Sequence, residues 1–88
     1  MTGGDRQLPM DPRLARALGA SWENTEDQGG TIVVQVDSVE RRYRDALKVG
    51  ATGVEAPRDE VGLGAWRRVA RMVDGLTGYP VTIWSDRG

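Results

Sequence analysis

The sequence predicts an α+β domain. Three stretches carry that prediction: a run of β-branched residues at 31–36, a helix with its own start and stop signals at 37–50, and an alternating strand at 79–85. In TIVVQV the β-branched side chains suit a pleated, packed surface better than a helix, and Gly29-Gly30 opens the run. Alternation along it puts Ile32, Val34 and Val36 on one side and Thr31, Val33 and Gln35 on the other. One face is therefore apolar and the other mixed.

Asp37 stands where a helix needs an N-cap, and Glu40 follows at the capping-box spacing. Val39, Tyr43, Ala46, Leu47 and Gly50 recur at helical period, which predicts an apolar stripe packed on Ile32, Val34 and Val36. Gly50 supplies the left-handed residue that ends the helix.

Residues 1–9 lack periodicity and are expected to be a loose end. Asp11-Pro12 then gives an N-cap with proline at the first helical position, and Leu14, Ala17 and Leu18 form a short apolar face before Gly19. A helix of about two turns is not stable alone, so it must dock, and a neighbouring subunit is the expected surface. SWENTEDQGG at 21–30 reads as a polar loop around Trp22, which is either a docking anchor or the remnant of a short strand.

Beyond the central helix, 52–56 reads as a short strand stopped by Pro57 and the charged turn Arg58-Asp59-Glu60. AWRRVARMV at 65–73 fits two periods. Alternation separates Arg67, Val69, Arg71 and Val73 from Trp66, Arg68, Ala70 and Met72; helical period gathers Trp66, Val69, Ala70 and Val73, and local pattern slightly prefers helix. Residues 74–78 form a turn flanked by glycines. In YPVTIWS, Val81 and Ile83 fall on one face and Thr82 and Trp84 on the other, with Pro80 at a strand-entry or edge position.

With 88 residues there is room for one domain, and a chain this short buries a limited share of its surface, so a partner subunit would help it. The absence of cysteine excludes a disulfide framework, a thiolate metal site and a thiol nucleophile. The absence of histidine removes the usual general base and the commonest transition-metal ligand. Lys48 is the one lysine among 12 cations, and acidic residues are interleaved throughout for a net charge of -1. No basic block reaches the density of a nucleic-acid surface. No apolar run is long enough for a membrane span, and the amino terminus lacks a signal-peptide core. The expectation is a soluble, cytoplasmic protein without nucleic-acid or membrane partners.

From Gly29 onward the chain resembles one βαβββ module of the vicinal oxygen chelate superfamily, which contains glyoxalase I, bleomycin-resistance proteins and extradiol dioxygenases. The likeness rests on the strand-to-helix entry Val34-Gln35-Val36-Asp37-Ser38-Val39, the helix end Gly50-Ala51, the loop from Ala56-Pro57 to Gly64, and a turn plus last strand at 74–85. The turn Asp74-Gly75-Leu76-Thr77-Gly78 departs from the family pattern in lacking its proline. The resemblance resolves 65–73 as a strand and divides the chain into 1–28, a loose end with short helix and loop, and 29–88, the glyoxalase-like module. It further implies a cupped half-barrel that pairs with a second module, supplied either by a homodimer or by an upstream module of a longer protein. In metal-dependent members a ligand opens the first strand and a glutamate sits on the last. Those positions correspond here to Thr31 and Thr82, and threonine is a poor ligand for such ions, so neither a metal nor another cofactor is expected.

On this reading Thr31, Val33, Gln35, Thr82 and Trp84 face the cup. Trp84 is expected to stack on a planar ligand while Gln35 and Thr82 orient it by hydrogen bonds; the alternative is that Trp84 fills core or dimer-interface volume. Trp66 and Met72 either line the same cup or pack outside it. Arg67, Arg68 and Arg71 are an anion clamp or solvated charges, and Asp59-Glu60 is a weak candidate for acid-base work. The expected function is a metal-free, small-molecule-binding or sequestering protein acting as a homodimer on an apolar or aromatic ligand, with no catalytic residues. The alternatives are a lyase or dioxygenase subunit of the same superfamily with metal ligands from another module, and a protein-interaction module.

Overall fold

The first helix, α1 (Pro12–Leu18), begins and ends as its sequence directs. The Asp11 carboxylate accepts the amide of Arg13 at 2.9 Å, and Gly19 closes the helix in the left-handed region at φ 66°. This computed structural model describes residues 8–62 and 65–86, with backbone alone at 61, 62, 65 and 66; of the expected loose end, residues 1–7 lie outside the described residues. Leu14 and Leu18, one turn apart, are 2 % and 1 % exposed. They dock on this chain's own core and its second helix, so the short apolar face finds its cover within the chain.

The stretch read as a polar loop contains a strand, β1 (Thr25–Gln28), paired antiparallel with β2 (Thr31–Gln35). The two-residue connection Gly29-Gly30 has φ values of 64° and 91°, the positive pair that hairpin turns of this length need. Glu26, Asp27 and Gln28 are poor strand formers, and pairing with β2 overrides that preference.

At the second helix, α2 (Val39–Lys48), the N-cap is Ser38 and not Asp37: the Ser38 hydroxyl accepts the Arg41 amide at 3.3 Å. Asp37 lies one residue outside, where its carboxylate accepts the Ser38 amide at 2.7 Å and pairs with Arg41 and Arg42 at 2.9 Å each. With the start moved by one residue, Arg41 occupies the capping-box position and Glu40 pairs instead with Arg68. Val39 and Ala46 are buried and Tyr43 half-buried, whereas Leu47 is 42 % exposed, so the packed stripe is narrower than the spacing predicted. Gly50 follows at φ 103°.

The next strand, β3 (Thr52–Gly62), runs straight through Pro57 and the residues expected to form a charged turn. Its register against β4 (Ala65–Val73) shifts between Gly53 and Glu55 and again between Glu55 and Arg58. Pro57 falls within that second irregularity on an edge strand, the setting in which a missing amide donor is tolerated. The ambiguous segment 65–73 is a strand, followed by the turn at 74–78 and by β5 (Pro80–Ser85).

The five strands form one mixed sheet in the order β1-β2-β5-β4-β3, with β2 and β5 parallel and the other neighbours antiparallel. From β2 onward the elements run β-α-β-β-β. The two helices cover one face, where Ile32, Val34, Ala70, Met72, Val81 and Ile83 are almost wholly buried. Because strand side chains alternate, burying that set turns the neighbouring residues to the opposite face.

Candidate functional site: the uncovered face of the sheet

Register fixes what lies on that opposite face. Val33 pairs with Thr82, Gln35 with Trp84, and across β4 Trp84 pairs with Val69 and Thr82 with Arg71. Trp84 thus sits at the centre of the face, between Gln35 and Val69. Val69 is 3 % exposed although it is outside the helix-side core, which makes it the apolar floor of this side. The face is concave and encloses about 690 Å³, within the range of roughly 300–1,000 Å³ common to small-molecule pockets. Its rim on the β1 side is built by Trp22, Asn24, Glu26 and Gln28.

Asn24 holds that rim in place. Its amide nitrogen donates to the carbonyls of Gly19 and Gln35, each at 3.0 Å, and its oxygen accepts the Ser21 amide at 2.8 Å. The segment between α1 and β1 is thereby tied to the end of β2.

Charge is distributed unevenly over the site. Arg71 is bonded to Glu55 and stands 3.8 Å from Glu60, which also meets Arg58 at 3.3 Å. The Arg71 hydrogen bond holds the Glu55 carboxyl below its ordinary value. Arg67 behaves differently. Its register partner is Glu60, yet its guanidinium carbon lies 4.5 Å from the centroid of the Trp84 ring, a cation–π distance, and it makes no ion pair with any described residue.

Of the residues predicted for the site, Gln35, Thr82 and Trp84 are brought together on this face, and Thr31 joins them. Met72 is not: at 1 % exposure it belongs to the helix-side core. The Trp66 side chain lies outside the described residues. The three arginines divide, with Arg67 and Arg71 on the open face and Arg68 bridging Glu40 and Asp59. Asp59 and Glu60 do not form an acid-base pair, because they are successive strand residues whose side chains diverge and each meets its own arginine. Sequence reading missed the β1 rim and the stacked position of Arg67. The Gly29-Gly30 pair, a hairpin signal, would have found the first.

Metal chemistry of the family type finds no fitting donors in these residues. Thr31 and Thr82 offer neutral hydroxyls, weak ligands for divalent ions, and among the described residues no three acidic side chains converge to hold one. No described helix is long and apolar enough to cross a membrane. No protein-family model matches this chain, and no curated protein or solved structure matches it significantly.

Proposed function

We propose that this chain is a metal-free, small-molecule-binding protein of the glyoxalase and bleomycin-resistance type, acting in the cytoplasm as a homodimer whose paired open faces enclose the ligand. The observation that carries this reading is that the helices cover only one face of the sheet, leaving the other as a concavity centred on Trp84. The strand order β2-β5-β4-β3 and the β-α-β-β-β succession support the family likeness. A partly buried indole, covered on part of its face by Arg67, with Gln35 and Thr82 beside it provides aromatic contact and two hydrogen-bonding side chains. Binding needs no covalent step, and no general base is required.

A single open sheet face leaves its ligand half in water, and a second copy would close over it. Light scattering behind a sizing column, across a wide concentration range, tests the assembly: a stable dimer is the expected result, and a monomer at all concentrations would overturn the shared cup. Tryptophan quenching by planar aromatic compounds tests the site. Of the three tryptophans in the chain, Trp22 and Trp84 line the concavity, so the signal should fall in Trp84→Phe and be largely lost when Trp22→Phe is added; quenching unchanged in the double variant would move the site elsewhere.

A further inference from the structure

We infer that the ligand of the open face is a planar aromatic anion, with its ring packed against the part of the Trp84 indole that the Arg67 guanidinium leaves open and its carboxylate or equivalent group bonded to Arg67. The inference rests on the binding role proposed above and adds the chemical class of the ligand. Its basis is the position of Arg67. The guanidinium is held over the Trp84 ring at 4.5 Å, it lines the concavity, and its charge is not neutralised by any described carboxylate. The other cation on this face, Arg71, is already bonded to Glu55 and close to Glu60. Arg67 therefore presents the charge available to an incoming anion, and its planar fork suits bidentate contact with a carboxylate.

The carboxylates around the site leave that charge in force. Glu60 is occupied by Arg58 and Arg71. Glu23 and Glu26 lie on the β1 side, and the order β1-β2-β5-β4 separates β1 from Arg67 by three inter-strand spacings, about 14 Å along the sheet. A ligand whose ring lies beside the guanidinium on the open part of the Trp84 indole thus meets a cation at the β4 end and an acidic rim at the β1 end, which orients an aromatic anion in one direction.

Equilibrium dialysis of the full chain against 2-naphthoate, 2-naphthamide and 2-naphthylmethylammonium, three probes alike in ring and different in charge, tests this. The expected result is that naphthoate binds more tightly than the amide by roughly five- to tenfold. Arg67→Gln should erase that difference while leaving amide binding in place, and Arg44→Gln, on the exposed side of α2, should leave it intact as a control for the change in net charge. Equal binding of naphthoate and naphthamide, or an anion preference that survives Arg67→Gln, would overturn the assignment of Arg67 and leave the binding role standing. Binding of none of the three would overturn the binding role itself.

Discussion

The carboxylate of Asp74 accepts the backbone amide of Asp11 at 2.7 Å, joining residues 63 apart in the chain. Asp74 is 1 % exposed and opens the turn between β4 and β5. Its second oxygen accepts the amides of Leu76 and Thr77 at 2.7 and 3.1 Å. One side chain thus shapes the turn and anchors the start of α1, where the Asp11 carboxylate in turn caps the helix.

Asp74→Asn should separate the two roles. The amide oxygen can still serve Leu76 and Thr77, but the amide nitrogen then faces the Asp11 N–H, donor against donor. A buried backbone amide left without its acceptor costs about 1–3 kcal/mol, and urea denaturation should show a loss of that order, with Asp74→Ala losing more. An unchanged midpoint in both variants would mean that the anchor does not hold in solution.

The buried face of α1 leads to a second expectation. Leu14 and Leu18 are sealed in the same core as Ile32 and Val39, so Leu14→Ala should cost about 2–5 kcal/mol. Removing residues 1–19 should abolish cooperative unfolding of the remainder. Were the truncated chain to unfold at the same urea concentration as the intact one, α1 would be an accessory and not part of the core.

Acid should weaken the fold through its arginine-paired carboxylates. The hydrogen bond from Arg42 is the main cause that lowers Asp37 to about 2; Arg68 and Arg71 lower Glu40 and Glu55 in the same way. A carboxylate with a folded value below its unfolded value of about 4 contributes stability that is complete above that value and is lost as pH falls toward the folded one. The urea midpoint should therefore hold above about pH 5 and fall between about pH 4 and 2. Asp37→Asn should flatten part of that fall, and 1 M salt should mimic it because these groups are exposed. An identical pH profile in the variant would exclude Asp37 from the effect.

The features legible in the sequence were those written in one local code. Asp11-Pro12, the TIVVQV alternation, Gly50 and the YPVTIWS alternation each named an element and a face, and the structure places Gln35, Thr82 and Trp84 together as that alternation requires. Segments whose conformation depends on a partner were read less well. β1 has a poor strand composition and is held by pairing with β2; Pro57 signals a stop that an edge-strand bulge absorbs. Segment 65–73 fitted both periods, and membership between β3 and β5 decided it. Arg67 resembled any surface arginine, because nothing in its sequence neighbourhood records that Trp84 lies beneath it.

Gly53 offers a test of how tightly α2 is pressed on β3. A Cβ built there would lie 2.2 Å from the Tyr43 hydroxyl oxygen, with the ring carbon behind it at 3.2 Å and a Leu47 methyl at 3.5 Å. Its backbone is not in the left-handed region, so an added methyl meets a steric obstacle and not a conformational one. Gly53→Ala should consequently destabilise by about 1–3 kcal/mol, the usual range for overpacking. Tyr43→Phe alone should cost little, since the hydroxyl makes no hydrogen bond with a described residue. In the Tyr43→Phe background the nearest contact relaxes to 3.2 Å, and the penalty of Gly53→Ala should fall by half or more, a coupling above about 0.5 kcal/mol in a double-mutant cycle. Additive effects would show that Tyr43 swings clear at no cost, and that the helix is held against the sheet by Val39 and Ala46 alone.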